Sequence, residues 1–308
     1  MIKQWRLDTN NQSLVLSSSG NRLPCVIYWG KSLPSHESPD EMIEASKKDW
    51  GDNLIDLVPE LSILPEQSAN FSGQLGSKMR DINGQLLSSS FVFHSDKVSA
   101  NSLTLIYKDK ELGLTYTAKI DSMEEHDVFA LEAKIESKNP IIMEWLSAPV
   151  IEASQNSNEI VGYGGHWGGE FRRQTTPWVT GTHLRESRVG TTSHAHFPGL
   201  LIPASGSSEN SGSCYGFHYG WSGGHRMVAE QLQDGRKQIQ FGHTENSELS
   251  PGKSFETAKL YITHSGDGAG GVGRTFRAFV SNFLVDLPKD SIRPCLLYTS
   301  DAADDSQC

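Results

Sequence analysis

Between Gly164 and Phe197 the chain reads GGHWGGEFRRQTTPWVTGTHLRESRVGTTSHAHF. Four imidazoles (His166, His183, His194, His196), the guanidinium groups of Arg172, Arg173, Arg185 and Arg188, the carboxyls of Glu170 and Glu186, and the indoles of Trp167 and Trp178 stand there among glycines. Groups of these types can ligate a metal, run acid–base chemistry on a glycosidic bond or hold a polar ligand. His183, His194 and His196 cluster, but an i, i+2 histidine pair on a strand offers one face without the third and fourth ligands of a zinc site. They read as polar side chains beside a groove, and no metal is assigned. Glu170 and Glu186 are the residue types of a glycosidase acid and nucleophile, whose separation would set the stereochemistry. Glu186, however, sits between Arg185 and Arg188, where an ion pair is the simpler reading, so neither is assigned a catalytic role. Trp167 is different. Gly164, Gly165, Gly168 and Gly169 leave it little local bulk to pack against, so its indole is expected on a loop, facing outward. An aromatic face stacks on the apolar C–H face of a pyranose while neighbouring polar groups fix the hydroxyls.

A second motif points elsewhere. Gly268, Gly270 and Gly273 form GAGGVG, a match to the dinucleotide fingerprint placed between a strand and a helix. The unit also needs a second parallel strand carrying an acidic residue, and the chain instead runs through Pro288 and Pro294. The glycines therefore read as a linker into a helix cap, and no cofactor is expected.

The elements that must position these residues are mostly strands. Short β-rich runs occur at Ser13 to Leu16, Cys25 to Trp29, Phe91 to His94, Leu103 to Tyr107, Leu112 to Ile120, Val128 to Ile135, Tyr215 to Trp221, Gln238 to Phe241 and Phe255 to Ile262, punctuated by Gly, Asn, Asp and Ser. Leu112, Leu114, Tyr116, Ala118 and Ile120 alternate with Gly113, Thr115, Thr117 and Lys119, the signature of an antiparallel sheet with one wet face. Two helices are expected. Ser38 caps a short one with Pro39 in its first turn, followed by Asp40 and Glu41. Phe276, Phe279, Val280, Phe283 and Leu284 recur at helical spacing from Arg274 to about Val285. The expected fold is all-β, a large antiparallel sandwich with short helices.

Composition narrows the function class. The 308 residues carry 36% hydrophobic and 21% charged side chains with a formal net charge of −10, and an acidic chain of this kind lacks the basic footprint of a nucleic-acid binder. No apolar run reaches the length of a membrane span or a signal-peptide core, so a cytoplasmic location is expected. Cys25 and Cys214 stand apart and read as reduced, packed thiols.

Longer stretches carry a resemblance. VIYWGKSLP (26–34), LPEQSANFSGQLGSKMRD (64–81), GGHWGGEF (164–171), HLRESRVGTTSHAHFPG (183–199), YGFHYGWSGGHRMVAEQLQDGRKQIQFG (215–242) and PGKSFETAKLYITHS (251–265) are similar to the N-terminal part of glycoside hydrolase family 36, the bacterial α-galactosidases, from Trp5 to Pro294. The resemblance implies a β-supersandwich followed by a (β/α)8 barrel and a small C-terminal β domain. In such proteins two barrel aspartates act as nucleophile and acid/base in a retaining release of terminal α-linked galactose, as from melibiose or raffinose. It further implies that Trp167 matches a galactose-contacting tryptophan and that the full-length protein is a homo-oligomer. The family's acidic contact in the loop after the WGK strand has no assignable counterpart among Asp40, Glu41, Asp49 and Asp52. No catalytic residue is expected in this chain, because Arg293 and Pro294 are followed by CLLYTSDAADDSQC instead of the strand that opens the barrel. Residues 1–285 are read as the sandwich, 286–294 as a linker toward the absent barrel, and 295–308 as an artefactual tail of translated sequencing-adapter DNA. The chain by itself is thus expected to bind or scaffold without hydrolysis. A free-standing carbohydrate-binding sandwich is the alternative.

Overall fold

The structure is a computed structural model that describes residues 2–46, 58–192 and 194–286. Asp49, Asp52 and the expected linker and tail beyond residue 286 lie outside the described residues. The strands form three sheets, of twelve, four and three strands, and every strand pairing within them is antiparallel.

The twelve-stranded sheet is organised by one long strand, Val128–Leu146. Its first half pairs with Leu114–Met123 on one edge and with Leu260–Ser265 on the other; its second half pairs with Ser77–Asp81, and Glu248–Glu256 pairs along it from Lys134 to Met143. From Leu260–Ser265 the sheet continues through Cys214–Tyr219, Gly199–Pro203 and Glu159–His166 to an edge strand, Gly169–Pro177. In Leu114–Met123 the alternation expected from sequence is realised: Leu114, Tyr116, Ala118 and Ile120 are buried while the residues between them are half-exposed. Leu112 belongs to the preceding turn, where Gly113 takes a φ of 67°.

The four-stranded sheet, in the order Ile151–Glu152, Lys237–His243, His225–Gln231, Gly181–Ser187, packs on the large one. Phe241 lies 6.1 Å from Phe217 and 6.2 Å from Tyr219, ring to ring, so aromatic side chains of the two sheets meet in one core. The three-stranded sheet, Ile2–Asp8, Gln12–Ser19 and Cys25–Lys31, closes another side. Gln12 joins it to the large sheet. Fully buried, its amide donates to the carbonyl of Asp127 and to Thr263 Oγ1 (3.0 Å), and its Oε1 accepts the Trp29 indole N–H (3.2 Å) and the His264 backbone N–H (2.7 Å). A buried amide in a dry core contributes only when all of its bonds are made, as here.

Both expected helices form, with one correction. Pro39–Ser46 begins as anticipated, with the Asp40 amide donating to Ser38 Oγ at 3.3 Å. The second helix starts earlier than the apolar spacing indicates, because Gly268–Phe279 is α-helical throughout. The GAGGVG glycines are therefore its first turns and not a linker. Tight packing explains three of them: a Cβ would lie 2.2 Å from the Ser208 carbonyl oxygen on Gly268, 2.8 Å from that of Glu209 on Gly270 and 2.0 Å from Ser265 Oγ on Gly271, whereas Gly273 has open space. Only Phe279 of the expected apolar stripe is fully buried, against Tyr261 at 5.0 Å. Val280–Leu284 widens into a π turn that leaves Phe283 and Leu284 exposed.

Two stability measurements test this account. Replacing Gln12 by Leu strips the Trp29 indole and the His264 amide of their acceptor in a buried site, and should cost about 2–3 kcal/mol in urea unfolding. Glu66 supplies the second. Its Oε1 accepts from Ser89 Oγ (3.0 Å) and the Phe91 amide (3.1 Å), while burial pushes its carboxyl up to about 7 against the hydrogen bonds that favour the charge. The folded state then holds this proton more tightly than the unfolded state. Its stabilising contribution is complete below about pH 4.5 and is lost as pH rises to about 7. Across that window the stability of Glu66→Gln relative to the native chain should rise by on the order of 1–3 kcal/mol; a pH-independent difference would refute the assignment.

Candidate functional site

Strands Glu159–His166 and Gly169–Pro177 form a hairpin at the end of the large sheet, with only Trp167 and Gly168 between them. Trp167 is 84% exposed, the most exposed large apolar side chain described. The backbone at the tip explains why the turn needs its glycines. Gly165 has a φ of 153°, and a Cβ there would lie 2.0 Å from the Gly169 carbonyl oxygen, so the register shift that tightens the turn excludes any side chain. Local polar groups hold the tip. Glu170 Oε1 accepts the Gly168 amide at 2.9 Å, and its own amide and that of Gly168 keep its carboxyl below the usual carboxylate range. His166 Nδ1 contacts the Trp167 carbonyl oxygen at 2.8 Å.

The neighbouring expected site residues separate into different environments. Trp178 is half-buried against the core, so only one of the two indoles in the segment faces outward. Glu186 accepts Arg188 Nε at 2.5 Å and the Glu245 amide at 3.2 Å; its side chain is 6% exposed and committed to an ion pair, as its flanking arginines suggested. Arg185 does not join it. Strand alternation turns Arg185 to the opposite face, where it is buried and donates through Nη2 to the Tyr163 carbonyl (2.9 Å) and Gln174 Oε1 (2.8 Å). The alternation of Gly162 and Gly164 on the facing strand was the signal available in the sequence: two missing side chains on one face make room for a large one.

His183 lies on the strand Gly181–Ser187, whereas His194 and His196 belong to an irregular segment and do not form the expected strand pair. Burial, then the nearby Arg185, lowers the pKa of both His183 and His196 and keeps the imidazoles neutral. His225 is fully buried and opposite Ser187 in the sheet, and burial lowers its pKa too, against a backbone hydrogen bond at Gly223. Among the described residues no three His, Cys, Asp or Glu side chains converge to hold a metal. A separate cleft of about 30 Å³ between Met143–Leu146, His243–Thr244 and Phe255–Thr257 has room for little more than a water molecule.

The arrangement therefore offers an aromatic face on a pinned hairpin and no acid–base pair. Trp167→Ala should leave the free energy of urea unfolding within about 0.5 kcal/mol of the native chain, as for an exposed residue. Gly165→Ala should cost at least about 1–3 kcal/mol through backbone strain. Equal effects of the two substitutions would contradict this description of the tip.

Comparison with known proteins places this geometry. The chain is 28% identical over 306 residues to the α-galactosidase of Escherichia coli, covering 96% of this chain and 42% of that protein. It is 27% identical to α-galactosidase AgaA of Geobacillus stearothermophilus, covering 96% of this chain and 44% of the relative. It thus spans well under half the length of these relatives. The crystal structure of that AgaA superposes on 89% of this chain and 42% of its own with a TM-score of 0.77 at 21% identity, and another AgaA structure, at 0.79, is a complex with stachyose. At that identity the superposition speaks for the fold. The model of the glycosyl hydrolase family 36 N-terminal domain matches residues 22–249, and the chain belongs to that family through this domain.

Proposed function

We propose that this chain is the substrate-side domain of an α-galactosidase that releases terminal α-linked galactose, of the melibiose or raffinose type, with retention of configuration. Trp167 carries the reading: an indole that gains nothing for the core, held outward by a turn that excludes other side chains. A pyranose presents C–H groups on one face, and an exposed aromatic ring binds that face while excluding water from it. The relatives support the substrate class, since they are α-galactosidases and AgaA has been crystallised with stachyose and with raffinose.

The domain contributes a wall and a scaffold. Hydrolysis with retention needs two carboxyl groups about 5 Å apart across the bond, and Glu170 and Glu186, the two glutamates of the Gly164–Phe197 segment, are engaged with the turn backbone and with Arg188. The catalytic carboxylates are proposed to lie in the part of such proteins that this chain does not span, as the chain covers 42% and 44% of the two α-galactosidases above, and the assembled protein is proposed to be a homo-oligomer in the cytoplasm.

The 308-residue chain should show no turnover of a chromogenic α-galactoside, whereas a version extended by the downstream gene sequence should hydrolyse it. In the extended protein Trp167→Ala should raise KM by about tenfold, the equivalent of roughly 1.4 kcal/mol of lost stacking. Turnover by the 308-residue chain, or an unchanged KM, would overturn the proposal.

A further inference from the structure

We infer that Arg185 is a positioning residue for Trp167: a buried guanidinium, reaching across from the four-stranded sheet, that fixes the angle at which the hairpin leaves the large sheet. The inference rests on the reading of Trp167 as the sugar-facing group, and names what holds it in place.

The hairpin is a structure in need of an anchor. Gly169–Pro177 is an edge strand, exposed from Phe171 to Thr175, and the strand Glu159–His166 pairs with its inner neighbour Gly199–Pro203 through only Val161 and Gly162. Beyond Gly162 the strand ladder to Gly199–Pro203 ends, so the two strands depend on contacts outside the ladder, and two-stranded ribbons alone are marginal in water. Arg185 meets this ribbon at its root and touches both of its strands. Nη2 donates to the Tyr163 carbonyl on one strand and to Gln174 Oε1 on the other, and Gln174 is the cross-strand partner of Gly162. One nitrogen thus ties both strands of the ribbon to a different sheet.

The fit is specific to this pair of surfaces. A Cβ on Gly162 would lie 1.6 Å from Arg185 Nη1, and one on Gly164 3.0 Å from Nη2, so the guanidinium lies directly on the glycine backbone. The third strand of contact comes from the irregular segment that follows: the Phe197 amide donates to the same Tyr163 carbonyl at 3.1 Å. Phe197 in turn meets Phe171 at 5.4 Å and His218 at 5.2 Å, ring to ring. Phe171, with φ at 51°, is held in a conformation that a free chain disfavours. The ribbon is therefore pinned on one side by the charged clamp and on the other by a ring contact.

Charge explains why an arginine suits the place. Both of these Arg185 bonds go to neutral oxygens, and a charged donor makes a stronger bond than a neutral one. Burial and the charge of Arg185 itself lower the pKa of His183 and His196 beside it, so a second positive charge is disfavoured there. A guanidinium is planar and presents donors in a fixed fork, whereas an ammonium is a compact charge on a flexible stem.

The test reads the indole itself. With 5-fluorotryptophan in the 308-residue chain, the Trp167 line is assigned by Trp167→Phe and followed by ¹⁹F NMR. Arg185→Gln should shift or broaden that line while the lines of the other six tryptophans keep their positions, and should speed amide exchange at Tyr163 and Gln174 by about tenfold or more. Arg185→Lys should restore the line only in part. Ile239→Val, in the core of the same four-stranded sheet, should lower Tm without moving the Trp167 line, which separates positioning from a general loss of stability. Should Arg185→Gln not fold, Gln174→Ala removes one acceptor at an exposed position and should give an intermediate shift. A Trp167 line that stays at its native position in Arg185→Gln, or in Gln174→Ala where that variant alone folds, would overturn the inference. Adding methyl α-galactoside to the native chain probes the sugar reading separately: a line moved by Arg185→Gln but indifferent to the sugar would uphold the clamp and count against Trp167 as a galactose contact.

Discussion

Nineteen consecutive residues of extended chain, from Val128 to Leu146, present backbone donors and acceptors along two edges, and those groups must be paired once their side chains are buried. That demand organises the molecule. It recruits Leu114–Met123 from just before it in sequence, Ser77–Asp81 from further back, and Glu248–Glu256 and Leu260–Ser265 from more than a hundred residues ahead. Once Leu260–Ser265 is seated, each further strand extends the ladder outward until the pairing ends at Gly169–Pro177. The exposed hairpin is thus the free end of a pairing sequence that starts in the centre of the sheet.

A free end is both a liability and an opportunity. Unpaired edges invite other chains, and here the edge carries Glu170, Arg172 and Arg173 around the exposed Phe171. The same position lets two residues stand clear of the core, so that Trp167 can face a ligand without unsettling the packing. What keeps such a ribbon from swinging freely is the second sheet, which contributes Arg185 from one side, and the segment through Phe197, which contributes a ring from the other. Burial lowers the pKa of the half-buried His183 and His196 and of the buried His225, so added positive charge beside the arginine is disfavoured.

The legible parts of the fold were those whose signal is local. Alternation in Leu114–Met123 and the Ser38–Pro39 start of the first helix are properties of neighbouring residues, and both appear where the pattern puts them. Gly181–Ser187 and His225–Gln231 gave no such signal, because Arg185 and Arg226 occupy buried or half-buried positions whose partners come from other parts of the fold. The glycine run at Gly268 misled for a related reason: low intrinsic helix propensity is outweighed when close packing against Ser265 and the loop at Ser208 leaves no room for side chains.

The sequence by itself determined the antiparallel class, the outward indole flanked by glycines, and membership of a recognisable domain, since periodicity, turn chemistry and motif order are written in adjacent residues. Only the tertiary structure decided the partners of the charged groups. Glu186 and Arg185 are neighbours in sequence, yet strand alternation turns one toward Arg188 and the other inward beneath the Trp167 hairpin. Which face a side chain occupies follows from register, register follows from pairings between strands far apart in the chain, and a linear reading contains no distance between them.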